Sequence, residues 1–372
     1  MHVKNEDISQ VVYNKGANLS LGPLMMDLRG PQLEPDEREL LLHPLVGGVI
    51  LFSRNYLDVE QLQHLTHEIH ALRHPPLLIA VDHEGGRVQR FRQSFCALPP
   101  CHRYGDLYDQ SRQLGLGSSE KAGWLMAAEL LSVGVDLSFA PVLDIDTGIS
   151  LVIGNRAFHR QPEVVAELAK SFCRGMKKAG MASIGKHFPG HGSVKEDSHH
   201  AVPIDGRRFQ DVVMLDMVPF ERLISTHLQG IMPAHVIFSQ VDNKPAGFSK
   251  IWLQDVLRQQ LGFQGCIFSD DISMVGAEAL GTYTERAQAA IDAGCDMVLV
   301  CNNQKAVIEV LDNLHIEINP ASQLRLIRMH GRKQKLTLKE LQNEPQWKEI
   351  AKEILSLEKA PELGLGDDEV RT

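Results

Sequence analysis

Short apolar runs alternate with longer segments of helical character along most of this chain. A strand with one solvated face alternates apolar and polar residues, whereas these runs are almost continuously apolar. They are typical of strands that are buried on both faces, as in a parallel sheet covered by helices. We predict eight strands, at Pro23–Asp27, Val46–Phe52, Pro76–Asp82, Asp136–Pro141, Ala182–His187, Gly230–His235, Cys266–Asp270 and Met297–Cys301.

Helix-capping residues mark the start or end of a helix in several of the segments between these strands. We predict helices from Ser119 to Leu131, from Gln161 to Lys178 and from Thr284 to Gly294. Eight buried strands that alternate with helices predict the α/β class and a (β/α)8 barrel. A doubly wound open sheet is the competing fold. It is disfavoured because the nearest glycine-rich segment, Gly115-Leu116-Gly117, lacks the third glycine of a dinucleotide-binding loop.

The chain is predicted to form one domain with an extension at each end. Its 372 residues suit a single barrel, which we assign to residues 21–340. Residues 1–20 are predicted to be an N-terminal extension. Residues 341–360 carry apolar positions at helical spacing and are predicted to form a flanking helix, and the acidic residues 361–372 a disordered tail.

Composition and charge narrow the function classes. The formal net charge of -9 argues against a nucleic-acid surface, because phosphates are bound mainly by Lys and Arg. The one basic cluster, from Arg325 to Lys339, is interpreted as the solvated face of a late helix. The six cysteines lack C-x-x-C spacing, and the sequence contains neither a secretory signal nor an apolar run of the ~20 residues that span a bilayer. We therefore predict a soluble cytoplasmic protein with no membrane or nucleic-acid partner.

Polar residues gather where the predicted strands end. The third strand ends in the run from Asp82 to Arg90, and the fourth strand is followed by Asp144, Asp146 and Arg156. The fifth strand ends in Lys186-His187, the sixth ends in His235, and the seventh ends in Ser269-Asp270-Asp271. A single carboxylate at such a position is commonly a helix N-cap. Polar residues at five strand ends together indicate an active site, which in a barrel lies at the carboxyl ends of the strands.

Two histidines in the segment Lys186–Gly192 raise the question of a metal site. His187 and His191 have the i, i+4 spacing of a helical zinc site. Pro189-Gly190 between them disfavours a helix, so we predict a loop and no metal. A metallohydrolase built on these two histidines with His199 and Asp197 is the least favoured alternative.

Three motifs, in this order, resemble those of the bacterial β-N-acetylhexosaminidases of glycoside hydrolase family 3. They are Ala80–Phe91, Lys186–Gly192 with Asp197-Ser198-His199, and Phe268–Met274, within a resemblance that runs from about Gly22 to about Gly331. The resemblance implies a cytoplasmic enzyme of cell-wall recycling, and we predict that it is a monomer and needs no cofactor. Its implied substrate is a muropeptide fragment, GlcNAc linked to 1,6-anhydro-N-acetylmuramic acid with or without a peptide, from which it removes the terminal GlcNAc with retention through a covalent intermediate.

The resemblance also implies the site residues, position by position. Asp270 matches the nucleophile, His199 the acid/base residue and Asp197 its partner in a His–Asp dyad. The matched substrate-binding residues are Asp82, Arg90, Arg156, Lys186 and His187. Two positions depart from the family pattern: Asn155 stands where glutamate is usual, and His200 where lysine or a similar residue is usual.

Elementary chemistry is compatible with these roles. A retaining glycosidase needs a carboxylate nucleophile and a proton donor. An imidazole with an ordinary pKa near ~6.5 can donate and later accept a proton, and a carboxylate such as that of Asp197 can hold its tautomer. The alternatives are a related β-glucosidase, a glycoside phosphorylase, or a catalytically silent sugar-binding protein on the same barrel. The presence of Asp270 and His199 argues against the catalytically silent protein.

Several neighbouring residues have structural interpretations instead. Asp271 is interpreted as a helix N-cap or supporting acceptor, and His191 as a residue that shapes its loop. Glu84 is interpreted, together with His83, as support for the turn at Gly85-Gly86. His235 either lines the sugar pocket or is a hydrogen-bonded core histidine.

Overall fold

The eight predicted strands are all present and form a (β/α)8 barrel. The computed structural model describes residues 20–195, 202–317 and 319–358. The strands in these ranges, in chain order, are β1 (Leu24–Asp27), β2 (Val46–Leu51), β3 (Leu78–Val81), β4 (His83–Gly85), β5 (Val88–Gln89), β6 (Leu137–Ser138), β7 (Ile184–Phe188), β8 (Ile204–Asp205), β9 (Gly230–Pro233), β10 (Ile237–Phe238), β11 (Cys266–Asp271) and β12 (Met297–Val300). The barrel strands are all of these except the short pairs β4–β5 and β8–β10.

The barrel sheet is parallel, and its spatial order is β6-β3-β2-β1-β12-β11-β9-β7. Backbone hydrogen bonds close the circle between the two outermost strands. The Ile184 N–H donates to the Ala140 carbonyl at 2.8 Å, and the Leu143 N–H donates to the Lys186 carbonyl at 2.6 Å. The predicted barrel is thus confirmed, and the competing doubly wound open sheet is not formed.

Helices cover the outside of the barrel. They are α1 (Pro35–Leu41), α2 (Val59–Ala71), α3 (His102–Gln110), α4 (Arg112–Ser132), α5 (Pro162–Ala179), α6 (Phe209–Met214), α7 (Val218–Ile224), α8 (Tyr283–Ala293), α9 (Gln304–Asn313), α10 (Pro320–Ile327), α11 (Leu338–Leu341) and α12 (Pro345–Glu358), with a π-helix at Ile251–Gln260 and 3-10 turns at Ser53–Asn55, Gly154–Arg156, Ala246–Phe248 and Val275–Leu280. No helix in the described part of the chain is both long enough and apolar enough to cross a membrane.

The apolar runs are explained by two separate cores. Within one strand, Ile79 and Val81 pack outwards against the helices, whereas Leu78 and Ala80 point into the barrel. Successive side chains of a strand point to opposite faces, so a strand between two cores is apolar at every position. Phe139 and Phe268 meet edge to face inside the barrel, with ring centroids 5.4 Å apart.

Two predicted helix starts are wrong. The helix that we placed at Ser119 begins at Arg112, and the Ser119 hydroxyl instead donates to the Leu168 carbonyl of the neighbouring helix α5. Helix α8 is capped by Thr282, whose side chain accepts a hydrogen bond from the Glu285 N–H, and not by Thr284.

Helix α12 occupies the position of the predicted flanking helix and packs on α4. Ile350 and Ile354 are buried in the outer core. The buried Glu129 carboxylate of α4 accepts hydrogen bonds from the Trp347 indole N–H at 3.0 Å and from the Cys96 N–H at 3.0 Å. Burial raises the pKa of Glu129 to about 7 in spite of these donors. The predicted extension and tail lie outside the described residues, apart from Ser20.

We expect Glu129→Ala to lower the free energy of unfolding by about 1–3 kcal/mol, because it removes the buried acceptor to which the Cys96 and Trp347 N–H groups donate. Urea denaturation measures the change. The matched control is Glu353→Ala. The Glu353 side chain also joins α12 to α4, through Lys121, but it is half-exposed. Its expected cost is below about 1 kcal/mol. Equal effects of the two variants would contradict the anchoring role of Glu129.

Candidate active site

A cavity of about 370 Å³ opens at the carboxyl ends of the barrel strands. Six of the eight predicted site residues line it: Asp82, Arg90, Arg156, Lys186, His187 and Asp270. The other two, Asp197 and His199, fall in the segment 196–201, outside the described residues. The structure thus brings residues of β7 and β11 together with Asp82, which directly follows β3, although they are far apart in the sequence.

A network of four charged side chains forms one wall of the cavity. Lys186 in β7 donates from Nζ to Asp82 Oδ1 at 2.8 Å and to Glu84 Oε1 at 2.7 Å. Arg156 contacts the same Glu84 through two bonds, Nε to Oε2 at 2.8 Å and Nη2 to Oε1 at 2.7 Å. This fork geometry fixes the plane of the guanidinium as well as its position. Glu84 thus holds two cations of the cavity wall at once.

The network keeps its charges at neutral pH. Burial alone would raise the pKa of the Glu84 carboxyl, but Arg156 and Lys186 hold it well below its usual range. Burial likewise disfavours the Lys186 ammonium, yet Asp82 and Glu84 outweigh it and raise the pKa of Lys186. A buried charge without a partner is costly, so these pairings are a condition for placing cations in the wall.

The ribbon β4–β5 carries two further residues to the rim. Gly85 and Gly86 have φ angles of 110° and 56°, a region that glycine adopts readily, and they allow the chain to reverse between the two strands. Past the ribbon, Arg90 Nη2 lies 3.6 Å from Asp82 Oδ2. Arg87 donates to the Val152 carbonyl across the cavity mouth.

A buried carboxylate orients the two histidines of the loop after β7. Asp144 Oδ2 lies 2.7 Å from His187 Nδ1, and Asp144 Oδ1 accepts from the His191 N–H at 2.7 Å. Burial opposes ionisation of Asp144, but His187 outweighs it and lowers the pKa of that carboxyl. Because a carboxylate only accepts hydrogen bonds, His187 carries its proton on Nδ1 and presents Nε2 to the cavity.

The predicted loop at Pro189-Gly190 is confirmed, since β7 ends at Phe188 and no helix follows it directly. The helical zinc geometry of His187 and His191 is therefore not formed. Among residues 20–195, 202–317 and 319–358, no three His, Cys, Asp or Glu side chains are grouped so that they could hold a metal ion.

The two aspartates at the end of β11 differ in their surroundings. The Asp271 carboxylate accepts from the Ser273 hydroxyl at 2.7 Å, the Ser273 N–H at 2.9 Å and the Cys301 N–H at 3.1 Å. Burial, with the nearby charge of Asp270, raises the pKa of Asp271 to about 6. Asp270 Oδ1 accepts from the Asp271 N–H at 2.8 Å, and the side chain lines the cavity. Asp271 is the supporting acceptor that the sequence suggested.

His235 is a hydrogen-bonded buried histidine, one of its two predicted alternatives. Its Nε2 lies 3.0 Å from the Asp271 carbonyl oxygen, and its ring stacks on Phe248 with centroids 5.2 Å apart. This contact links β9 to the end of β11, where the two aspartates lie.

Buried charges also fix both flanks of the segment 196–201. Asp216 accepts from Arg207 Nη1 at 2.8 Å on the C-terminal flank and from the Ser193 hydroxyl at 3.5 Å on the N-terminal flank. Arg207 Nη2 also contacts Asp205 Oδ2 at 2.6 Å. Burial raises the pKa of Asp216 to about 6, although Arg207 opposes it.

Sequence reasoning underrated Glu84 and Asp144. Glu84 was interpreted as turn support, and Asp144 was counted among the strand-end residues that indicate an active site but was given no role of its own. Each proves to orient residues that line the cavity, Arg156 and Lys186 in one case and His187 in the other. The available signal was that both follow buried strands in a fold where such positions face the active site.

Comparisons with known proteins agree on one family. The family model described as Glycosyl hydrolase family 3 N terminal domain matches residues 6–328. A Beta-hexosaminidase from Thioalkalivibrio sulfidiphilus is 56% identical over 347 residues, which cover 93% of this chain and 99% of the relative. A second Beta-hexosaminidase, from Nitrosospira multiformis, is 52% identical over 339 residues, with 91% of this chain and 97% of the relative covered.

A solved structure agrees with these relatives. The crystal structure of NagZ from Neisseria gonorrhoeae in complex with N-trifluoroacetyl-D-glucosamine is similar to this chain with a TM-score of 0.87 and 43% sequence identity. The match covers 92% of this chain and 99% of the gonococcal one.

We expect Glu84→Ala to destabilise the fold by about 3–5 kcal/mol, because it leaves Arg156 and Lys186 buried with too little negative charge. Chemical denaturation measures this loss, and thermal melting should show it as well. Glu163→Ala is the matched control, since it breaks an exposed pair with Arg222 and should cost less than about 1 kcal/mol. A Glu84→Ala protein as stable as this control would show that the network does not constrain the cavity wall.

Proposed function

Given that this chain belongs to glycoside hydrolase family 3, we propose that it removes terminal N-acetylglucosamine from peptidoglycan-derived muropeptides with retention of configuration. The chain is a β-N-acetylhexosaminidase. The proposed substrate is GlcNAc linked to 1,6-anhydro-N-acetylmuramic acid, with or without a peptide. The observation that supports the mechanistic proposal is a cavity lined both by Asp270, at the end of β11, and by the paired charges of Asp82, Arg156 and Lys186, which suit sugar hydroxyls.

Asp270 is the proposed nucleophile. Both Asp270 and Asp271 line the cavity, and the carboxylate of Asp271 accepts three hydrogen bonds from Ser273 and Cys301 that suit a supporting role. In a retaining mechanism the nucleophile attacks the anomeric carbon and the bond to the leaving oxygen breaks, which gives a covalent glycosyl-enzyme. Water then breaks that ester, and the sugar leaves in its original β configuration.

The proposed hydroxyl-binding residues are Asp82, Arg90, Arg156, Lys186 and His187. Their chemistry supports the role, because a pyranose ring carries several hydroxyl groups that each donate and accept hydrogen bonds. Asp82 supplies acceptors, and Lys186 and Arg156 supply donors whose charges are fixed by Glu84. Such paired groups are already ordered before the sugar binds, which limits the entropy lost on binding.

His199 is the proposed acid/base residue, with Asp197 as its partner. Both proposals rest on the family motif, because the two residues lie outside the described structure. In the first step His199 would protonate the leaving oxygen, and in the second it would take a proton from the attacking water. A histidine suits this exchange because its ordinary pKa lies near neutral pH.

We expect Asp270→Ala to lower kcat by at least about a thousandfold while the fold and sugar binding are kept. A 2-fluoro or 5-fluoro glycoside should label the wild-type enzyme, and peptide mapping should find the label on Asp270. The neighbouring Asp271→Asn variant is the control for position, because it should remain open to labelling at Asp270. A label on Asp271 would overturn the assignment.

We expect His199→Ala to separate the two half-reactions. Hydrolysis of the sugar–sugar bond should fall by about 10²- to 10⁴-fold, because its leaving group needs a proton. A dinitrophenyl glycoside needs little protonation, so the variant should release a rapid burst of phenolate and then turn over slowly.

The adjacent His200→Ala variant is the control for this experiment, and it should keep near-wild-type turnover of both substrates. Equal losses on the two substrates by His199→Ala would exclude an acid/base role. Nuclear magnetic resonance of the first wild-type product should show the β anomer, and the α anomer would refute retention.

A further inference from the structure

His191 is a buried residue of the cavity that the proposed mechanism does not use. Only 2% of its surface is exposed, and it lines the same cavity as Asp270. Among the described residues, neither of its ring nitrogens has a hydrogen-bond partner. Its backbone is nevertheless held in place, because its N–H donates to Asp144.

The contrast with His187 is informative. Asp144 occupies Nδ1 of His187, so that ring is fixed by the protein itself. A buried imidazole with two unused nitrogens is unfavourable unless something else supplies the partners, and buried polar groups in proteins are satisfied in the great majority of cases. A ligand in the cavity is one source of such partners.

The protonation state of His191 defines what it could bind. Burial and the neighbouring His187 lower its pKa, against the opposing charges of Asp144 and Asp270. At neutral pH the ring is therefore uncharged, with one N–H donor and one nitrogen acceptor. A group that offers one carbonyl acceptor and one N–H donor matches it, and an acetamido group has both.

The surroundings of His191 suggest which part of the sugar it faces. Its ring centroid is 5.9 Å from that of His187, a proposed hydroxyl ligand, and His191 lines the same cavity as Asp270. In a pyranose, C2 is the ring carbon bonded to the anomeric carbon, so its substituent lies next to the reacting centre. In N-acetylglucosamine C2 carries the acetamido group.

We propose that His191 is a specificity-determining residue that hydrogen-bonds the 2-acetamido group of the bound sugar. The inference rests on the proposed function, because it assumes that the sugar binds with its anomeric carbon at Asp270. In this proposal, a single neutral side chain distinguishes N-acetylglucosaminides from glucosides. A site built to hydrogen-bond a group rejects analogues that lack it, since its own polar atoms are then left unpaired.

The test compares His191→Phe, which keeps a planar ring without nitrogens, with the wild-type enzyme on two aryl glycosides. With the aryl N-acetyl-β-glucosaminide, kcat/KM should fall about 10- to 100-fold. With the aryl β-glucoside, which has only a hydroxyl at C2, kcat/KM should change less than about threefold. Calorimetry with free N-acetylglucosamine and free glucose should show the same selectivity in Kd.

Two further variants keep the result interpretable. His83→Phe alters another buried histidine of this region, which packs against Phe91 and does not line the cavity, so any effect should be equal on both substrates. His191→Asn retains a donor and an acceptor and should recover part of the lost selectivity. It also serves as the second variant if His191→Phe does not fold.

Equal losses by His191→Phe on both glycosides, or an unchanged ratio, would overturn the inference. A larger loss on a glucoside than on a xyloside, which lacks the C6 hydroxymethyl group, would place His191 at the other side of the ring and would also overturn it. A wild-type enzyme without activity on the N-acetylglucosaminide would instead refute the proposed function.

Discussion

The pairing of buried charges around Glu84 is the constraint on which the cavity depends. A cation can stand in a buried wall only beside compensating negative charge, because desolvation of an unpaired ion costs several kcal/mol. Glu84 compensates Lys186 and Arg156 together, and so ties the ribbon after β3, the strand β7 and the turn Gly154–Arg156 to one another. One carboxylate thus joins three distant segments into one wall of the cavity.

The fold could be predicted from the sequence because its signal is local. A strand between two cores is apolar on both faces, and each barrel strand therefore appears as a continuous apolar run. Helix starts were less predictable. Ser119 has the chemistry of an N-cap, yet helix α4 runs through it from Arg112, because packing on α5 outweighs the local capping preference.

The partnerships within the site could not be predicted from the sequence, because they are long-range. Glu84 and Arg156 are 72 residues apart, and Asp82 and Lys186 are 104 residues apart. A motif can indicate that such residues belong to a site, as it did for Asp82 and Lys186, but it does not reveal which carboxylate neutralises which cation. Glu84 was for that reason interpreted as support for a turn, and its central position emerged only from the geometry.

The carboxylates in and around the cavity differ in their partners. Glu84 and Asp144 are each bound to cationic or donor side chains and have lowered pKa values, so their negative charges are neutralised within the wall. Asp271 also lines the cavity, where its carboxylate accepts three hydrogen bonds, and burial with the nearby charge of Asp270 raises its pKa to about 6. Asp270, beside it at the end of β11, is the proposed nucleophile. In the proposed mechanism a carboxylate at that position would stabilise a positively charged, oxocarbenium-like sugar.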